Sequence, residues 1–238
     1  MNAHLEGAID DVPPVAVSGG PVQSVECTSQ DLTPVTLDGS ASFDSDPGDE
    51  ISHYQWFTDL GDAVGNQAEE VVELPLGEAS YVLHAYDSEL GSDADDVTVR
   101  VVDTTPPDLQ VEPASLCLWP PNHARLKFTL GKELHAEAVD VCDPDPTVRI
   151  VGVISNEPDN GLGDGDTRSD VAFSDSAFCV RRERSGAGPG RRYWVIVKAE
   201  DASGNASYQT LEVRVPHDAS AGVCHDRGTP ISENEPCD

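Results

Sequence analysis

The residues best suited to chemistry in this chain are carboxylates gathered into short loops. Aspartate supplies 27 of the 44 acidic side chains, and many stand beside Gly, Pro or Ser, the residues of turns. Three segments of the first half carry them densely: IDDVPP with Asp10 and Asp11, FDSDPGDE with Asp44, Asp46 and Asp49, and YDSELGSDADD with Asp87 and Asp93. Carboxylates crowded from separate segments repel on the order of several kcal/mol at low effective dielectric unless a cation, a proton or water intervenes. Calcium suits such a loop site, because it accepts about six to eight oxygen ligands at roughly 2.3–2.6 Å in a tolerant geometry. A second set follows the same logic. Asp103 and Asp108 in the linker would approach Asp140, Asp143 and Asp145 together with Glu200, Asp201 and Asn205, where a calcium ion would lock two units in one orientation. A third, weaker candidate is the loop NEPDNGLGDGDTRSD, with Glu157, Asp159, Asp164 and Asp166, which matches neither an EF-hand nor a repeated calcium array. The basic run RRERSGAGPGRR falls at the same end, so salt bridges between the two are the simpler expectation there.

Only strands can bring these segments together, and strand signals dominate the chain. VTVRV (97–101) and LEVRV (211–215) alternate apolar with polar residues, and RRYWVIVKAED and TVRIVGVISN are longer β-branched runs. No segment has ten or more residues of helical period. AEEVVEL reads better as a strand than as a short helix, given its paired valines and Pro75. VVDTTPPDLQV ends one strand, turns through two prolines and begins another, which makes it a short stiff linker. On either side lie units of about 100 residues with strands at about 8 to 15 residue spacing, the pattern of antiparallel sandwiches. In such a sandwich the start of the first strand and two of the inter-strand loops share one end, which is where the acidic segments fall.

Length and charge agree with two domains. The chain has 238 residues and a formal net charge of −30. Residues 1–107 hold 22 acids and one basic residue, Arg100. Such a field repels phosphate backbones and anionic lipid, so no nucleic-acid partner is expected and cations are the expected small partners. No stretch approaches the roughly 20 apolar residues of a membrane span, and MNAHLEGAID lacks the basic and apolar regions of a signal peptide. An export signal is therefore expected to have been removed or to lie outside these residues. Six cysteines, none in a CxxC pair, favour disulfides and an oxidising, extracytoplasmic compartment over zinc or dithiol chemistry. Cys224 and Cys237 bracket a tail without apolar period and form the first expected bridge, with Cys142 to Cys179 next. Cys27 is left as a candidate free thiol.

The run VTLDGSASFDSDPGDEISHYQWF, followed by GEASYVLHAYDSELGSDADDVTVRVV, resembles a PKD domain, an immunoglobulin-like module of cell-surface and secreted proteins. The resemblance covers about Pro13 to Val102, and it departs where the family has WDFGDG and this chain has WFTDLGD. The second unit, through AEDASGNAS, resembles the Ig-like, HYR-like repeats of bacterial surface proteins. The strand pattern and these resemblances together give an all-β chain of tandem antiparallel Ig-like β-sandwiches, a first over 1–103 and a second over 108–218, and the bracketing Cys224 and Cys237 give a disulfide-closed tail over 219–238. The resemblances also imply an extracellular or cell-surface, bacterial setting and an adhesive or spacer role.

Enzyme signatures are absent. The sequence has no GxSxG elbow, HExxH helix or P-loop, its seven histidines are scattered, and no cleft is evident for a glycosidase carboxylate pair about 5 to 9.5 Å apart. A calcium-binding surface protein without catalytic activity is the leading expectation, with a cell-surface protein or glycan as its macromolecular partner. The alternative is a carbohydrate-binding accessory module. Its weakness is a 5% aromatic content, with Trp56 and Trp194 expected in the core and Trp119 as the one exposed platform.

Overall fold

A computed structural model describes residues 12–159 and 169–218. Asp10, Asp11, Asp164, Asp166 and the 219–238 tail with its Cys224 and Cys237 lie outside the described residues. The chain divides into two compact units, Met1–Thr104 and Thr105–Asp238, and the described residues are all-β, with no helix.

The first unit has seven strands: β1 (Val22–Glu26), β2 (Thr33–Asp38), β3 (His53–Thr58), β4 (Ala63–Gly65), β5 (Glu69–Leu74), β6 (Gly77–Tyr86) and β7 (Ser92–Val102). One sheet runs β1-β7-β6-β3-β4 and the other pairs β2 with β5. The segment AEEVVEL does form a strand, β5, aligned along its length with β2. Period-two burial builds the core: Val35 and Leu37 from β2, Tyr81, Leu83 and Ala85 from β6, and Val97, Val99 and Val101 from β7 point inward. Trp56 is fully buried at the centre of β3, and its indole N–H donates to the Gln67 carbonyl at 3.1 Å. The ladder departs from a purely antiparallel plan in one place, since β1 runs parallel to β7.

The DGS run that follows β2 has a packing explanation. Asp38 Oδ1 accepts the Ser40 amide at 2.9 Å and closes the turn. A Cβ on Gly39 would lie 2.7 Å from Leu83 Cδ2 and 3.2 Å from the Trp56 ring, so only glycine lets the turn sit on that core. Ser42 then accepts the Val17 amide at 3.0 Å, and the chain enters the acidic loop that reaches β3.

The second unit repeats this plan with nine strands: β8 (Asp108–Glu112), β9 (Ser115–Cys117), β10 (Arg125–Thr129), β11 (His135–Val139), β12 (Thr147–Ser155), β13 (Val171–Phe173), β14 (Ala177–Arg181), β15 (Gly190–Glu200) and β16 (Ala206–Pro216). The sheet β12-β15-β16-β9 faces β10-β14-β13 and the pair β8-β11, with β9 parallel to β16 as β1 is to β7. Its core joins Leu126, Phe128, Phe178, Tyr193, Val195, Val197, Leu211 and Val213, with Phe128 and Phe178 stacked at 5.0 Å. Trp194, expected inside, is instead half-buried on the outward face of β15, because the alternation turns its neighbours Tyr193 and Val195 inward.

Cys27, Cys117, Cys142 and Cys179 are each disulfide-bonded, and no described cysteine is a free thiol. The reading of Cys27 as a free thiol is therefore corrected: it is buried, but bonded.

Candidate metal centre

In the first unit the loop after β2 and the loop between β6 and β7 meet at one end of the sandwich. One carboxylate oxygen from each of Asp44, Asp49 and Asp87 lies within 4.8 Å of the others. Asp87 directly follows β6 and is only 1% exposed. Its Oδ1 accepts the Glu89 and Gly91 amides at 2.9 and 2.8 Å, while its Oδ2 is buried with no hydrogen-bond partner. Asp44 repeats that division, with Oδ1 accepting the Asp46 amide at 2.7 Å and Oδ2 buried and unpartnered. Asp49 takes the Ser88 hydroxyl at 2.5 Å and the Glu50 amide at 2.8 Å on Oδ1. The Ser88 hydroxyl first, and the Glu50 amide second, hold its carboxyl below the usual range.

Two bare, buried carboxylate oxygens beside a third carboxylate are costly, since unit like charges about 4 Å apart repel by about 4 kcal/mol at an effective dielectric near 20. Leaving a buried acceptor unpaired adds about 1–3 kcal/mol. A divalent cation removes both costs. The donors are all hard oxygens from loops, which suits calcium better than a soft or nitrogen-seeking metal.

The other acids of this end have structural uses. Asp46 Oδ2 accepts the Val12 amide at 2.9 Å and so fastens the incoming segment. Asp93 Oδ2 accepts the Ala16 amide at 3.0 Å, and Asp95 Oδ2 accepts both the amide and the hydroxyl of Ser18. Asp103 lies one residue beyond β7, and the neighbouring Thr104 donates its amide and hydroxyl to Glu26 at 2.8 and 2.9 Å.

In the second unit Asp140 Oδ1 accepts the Cys142 and Asp143 amides at 2.8 and 2.9 Å. Asp143 accepts the Asp145 amide on one oxygen and the Ala202 amide on the other, at 3.0 and 2.8 Å. Asp201, buried at 6% exposure, accepts the Asn205 amide on Oδ1 and the Asn205 side-chain N–H on Oδ2. Asp108 opens β8 opposite Val139, and Glu200 is paired with Arg149 and Lys198.

The far end of the second unit holds a cluster that sequence reasoning placed only coarsely. Arg191 and Asp170 form a buried pair at 2.7 Å, 1% and 0% exposed in their side chains. Glu183 lies 3.7 Å from Arg191 and 3.8 Å from Arg181, and the Arg191 guanidinium sits over the Tyr193 ring at 4.9 Å. Tyr193 donates to the Arg181 carbonyl at 2.8 Å, and burial pushes its phenol well up. Asp159 accepts the Asp170 and Ser169 amides, and Glu157 accepts the Ser185 amide at 2.7 Å. The signal was present in RRYWVIV, where period two puts Arg191 on the same inward face as Tyr193 and Val195.

No protein-family model matches the chain, and no curated protein matches it. Among solved structures, the fibronectin(III)-like modules of CbhA from Clostridium thermocellum align at 19% identity and a TM-score of 0.28, over 37% of this chain and 98% of that one. Protocadherin Gamma B2 extracellular cadherin domains 3–6 align at 17% identity and a TM-score of 0.39, over 86% of this chain and 51% of that one. SGBP-B of the Bacteroides ovatus mixed-linkage glucan utilization locus, solved with a mixed-linkage heptasaccharide, aligns at 13% identity and a TM-score of 0.29, over 85% of this chain and 48% of that one. The chain thus spans about half the length of the last two structures. At such identities and scores these likenesses say nothing about what it binds. Among the described residues no helix is long and apolar enough to cross a membrane.

Proposed function

We propose that the chain is a calcium-binding pair of Ig-like sandwiches with an adhesive or structural spacer role, outside the cell or on its surface. One observation carries this reading: Asp87 is almost wholly buried, one of its oxygens has no hydrogen-bond donor, and its carboxylate lies within 4.8 Å of those of Asp44 and Asp49. A cation is the simplest partner for three carboxylates held so close, and the oxygen-only donor set favours calcium. The disulfides support an oxidising compartment. The PKD resemblance of the first unit and the HYR-like resemblance of the second support a bacterial surface or secreted module with a protein or glycan partner. No part of this reading calls for catalysis.

Calorimetric titration of the whole chain with calcium chloride, beside Asp87→Asn, is the test. Saturable binding is expected for the parent, weakened at least about tenfold when a ligand charge is removed. No saturable binding, or equal binding by both, contradicts the reading.

Carbohydrate binding is a second reading with one observation in its favour. Trp194 is half-buried on the outward face of its sheet, opposite Ile154, which is 55% exposed, so a second aromatic besides Trp119 could serve a sugar. Titration with a glycan panel separates it from the first reading.

A further inference from the structure

Both units close their longest hairpin with the same five-residue loop. In the first it is Asp87-Ser-Glu-Leu-Gly91, between β6 and β7, and in the second Asp201-Ala-Ser-Gly-Asn205, between β15 and β16. In each, the amide of the first residue donates to the carbonyl of the fifth, at 3.2 and 3.1 Å. The amide of the fifth donates to Oδ1 of the first, at 2.8 Å in both. The fourth residue has a positive φ in both, 78° at Leu90 and 92° at Gly204.

The loops part at the second carboxylate oxygen. In the second unit Asn205 Nδ2 donates to Asp201 Oδ2 at 2.9 Å. In the first the equivalent position is Gly91, which has no side-chain donor, and Asp87 Oδ2 is left buried and without a partner. The glycine serves the carboxylate and not the backbone. The left-handed conformation, where glycine is the easy choice, falls on Leu90, whereas a Cβ on residue 91 would stand 2.2 Å from Asp87 Oδ2.

We infer that the fifth residue of this loop decides whether its leading aspartate keeps an oxygen available to a cation. Gly91 leaves Asp87 Oδ2 free to bind calcium together with Asp44 and Asp49. Asn205 fills the equivalent place with its own amide, whose N–H groups are neutral donors to a carboxylate, so Asp201 is satisfied within the chain. This rests on the calcium reading and adds to it the residue that sets which loop responds to the ion.

Gly91→Asn tests the inference, because the second unit demonstrates that this loop accommodates an Asp–Asn pair. Melting of the full chain is followed in chelator and in calcium. The Asn Cβ takes the place now held by Asp87 Oδ2 and turns that carboxylate away from it, so the variant is expected to lose the calcium-induced rise in melting. A folded variant that keeps the calcium response overturns the inference. Should Gly91→Asn fail to fold, Asn205→Gly decides: it removes the donor to Asp201 Oδ2 and is expected to lower melting in chelator, and unchanged melting overturns the inference. A parent chain that shows no calcium response overturns the calcium reading itself, which separates that failure from this one.

Discussion

At the residue scale, burial decides which acids matter. Of the many aspartates in this chain, most of those traced in detail fasten an amide and need no further partner; Asp46, Asp93 and Asp95 do so for the segment entering the first unit. Asp95 also offers a pH test. The Ser18 amide and then the Ser18 hydroxyl hold its carboxyl below the usual value. A depressed folded pKa means that this contribution to stability is full above the unfolded value near about 3.9 and is lost as pH falls through the folded one. The stability gap between the parent and Asp95→Asn, measured by urea unfolding, is thus expected to shrink as pH is lowered from about 5 towards 2; a gap independent of pH would count against the assignment. The buried charges of the second unit behave differently, because Arg191, Asp170 and Glu183 share an interior of negligible exposure. Arg191→Met removes the cation and leaves carboxylates buried, and a loss of about 3–5 kcal/mol is expected in denaturant unfolding. A loss under about 1 kcal/mol would mean that Arg181 alone compensates them.

At the element scale, alternation made the strands legible and their pairing less so. VTVRV and LEVRV are the ends of β7 and β16, and the buried positions follow their period. The parallel pairing of β1 with β7 and of β9 with β16 has no signature in a single strand, since direction is settled by what lies across the sheet. Trp194 was misplaced for a related reason: an aromatic in an apolar run could face either way, and the register with Tyr193 inside decided it. The acidic segments were legible as loops at one end, but not the division between ligands and fasteners. Asp44 and Asp46 are two residues apart, and only the fold turns one towards Asp87 and the other to Val12. The DGS turn carries the element-scale prediction. Gly39→Ala would press a methyl onto Leu83 and Trp56, both fully buried, and is expected to cost about 1–3 kcal/mol in urea unfolding. A neutral substitution would show that the turn can lift from the core.

At the scale of the whole molecule, a formal charge of −30 means that any salt stabilises the fold somewhat by screening, so a calcium effect has to exceed that background. The ligands come from loops separated by about half the first unit, and they converge only after folding, so the unfolded chain should bind weakly. A ligand that prefers the folded state adds about 2.7 kcal/mol at a hundredfold excess over its Kd. Thermal melting of the full chain in chelator, in millimolar calcium, and in sodium chloride of matched ionic strength tests the central claim most directly. Calcium is expected to raise the melting temperature by several degrees above the sodium control in the parent chain and not in Asp87→Asn. Equal shifts in calcium and sodium, or an undiminished calcium shift in the variant, would contradict it.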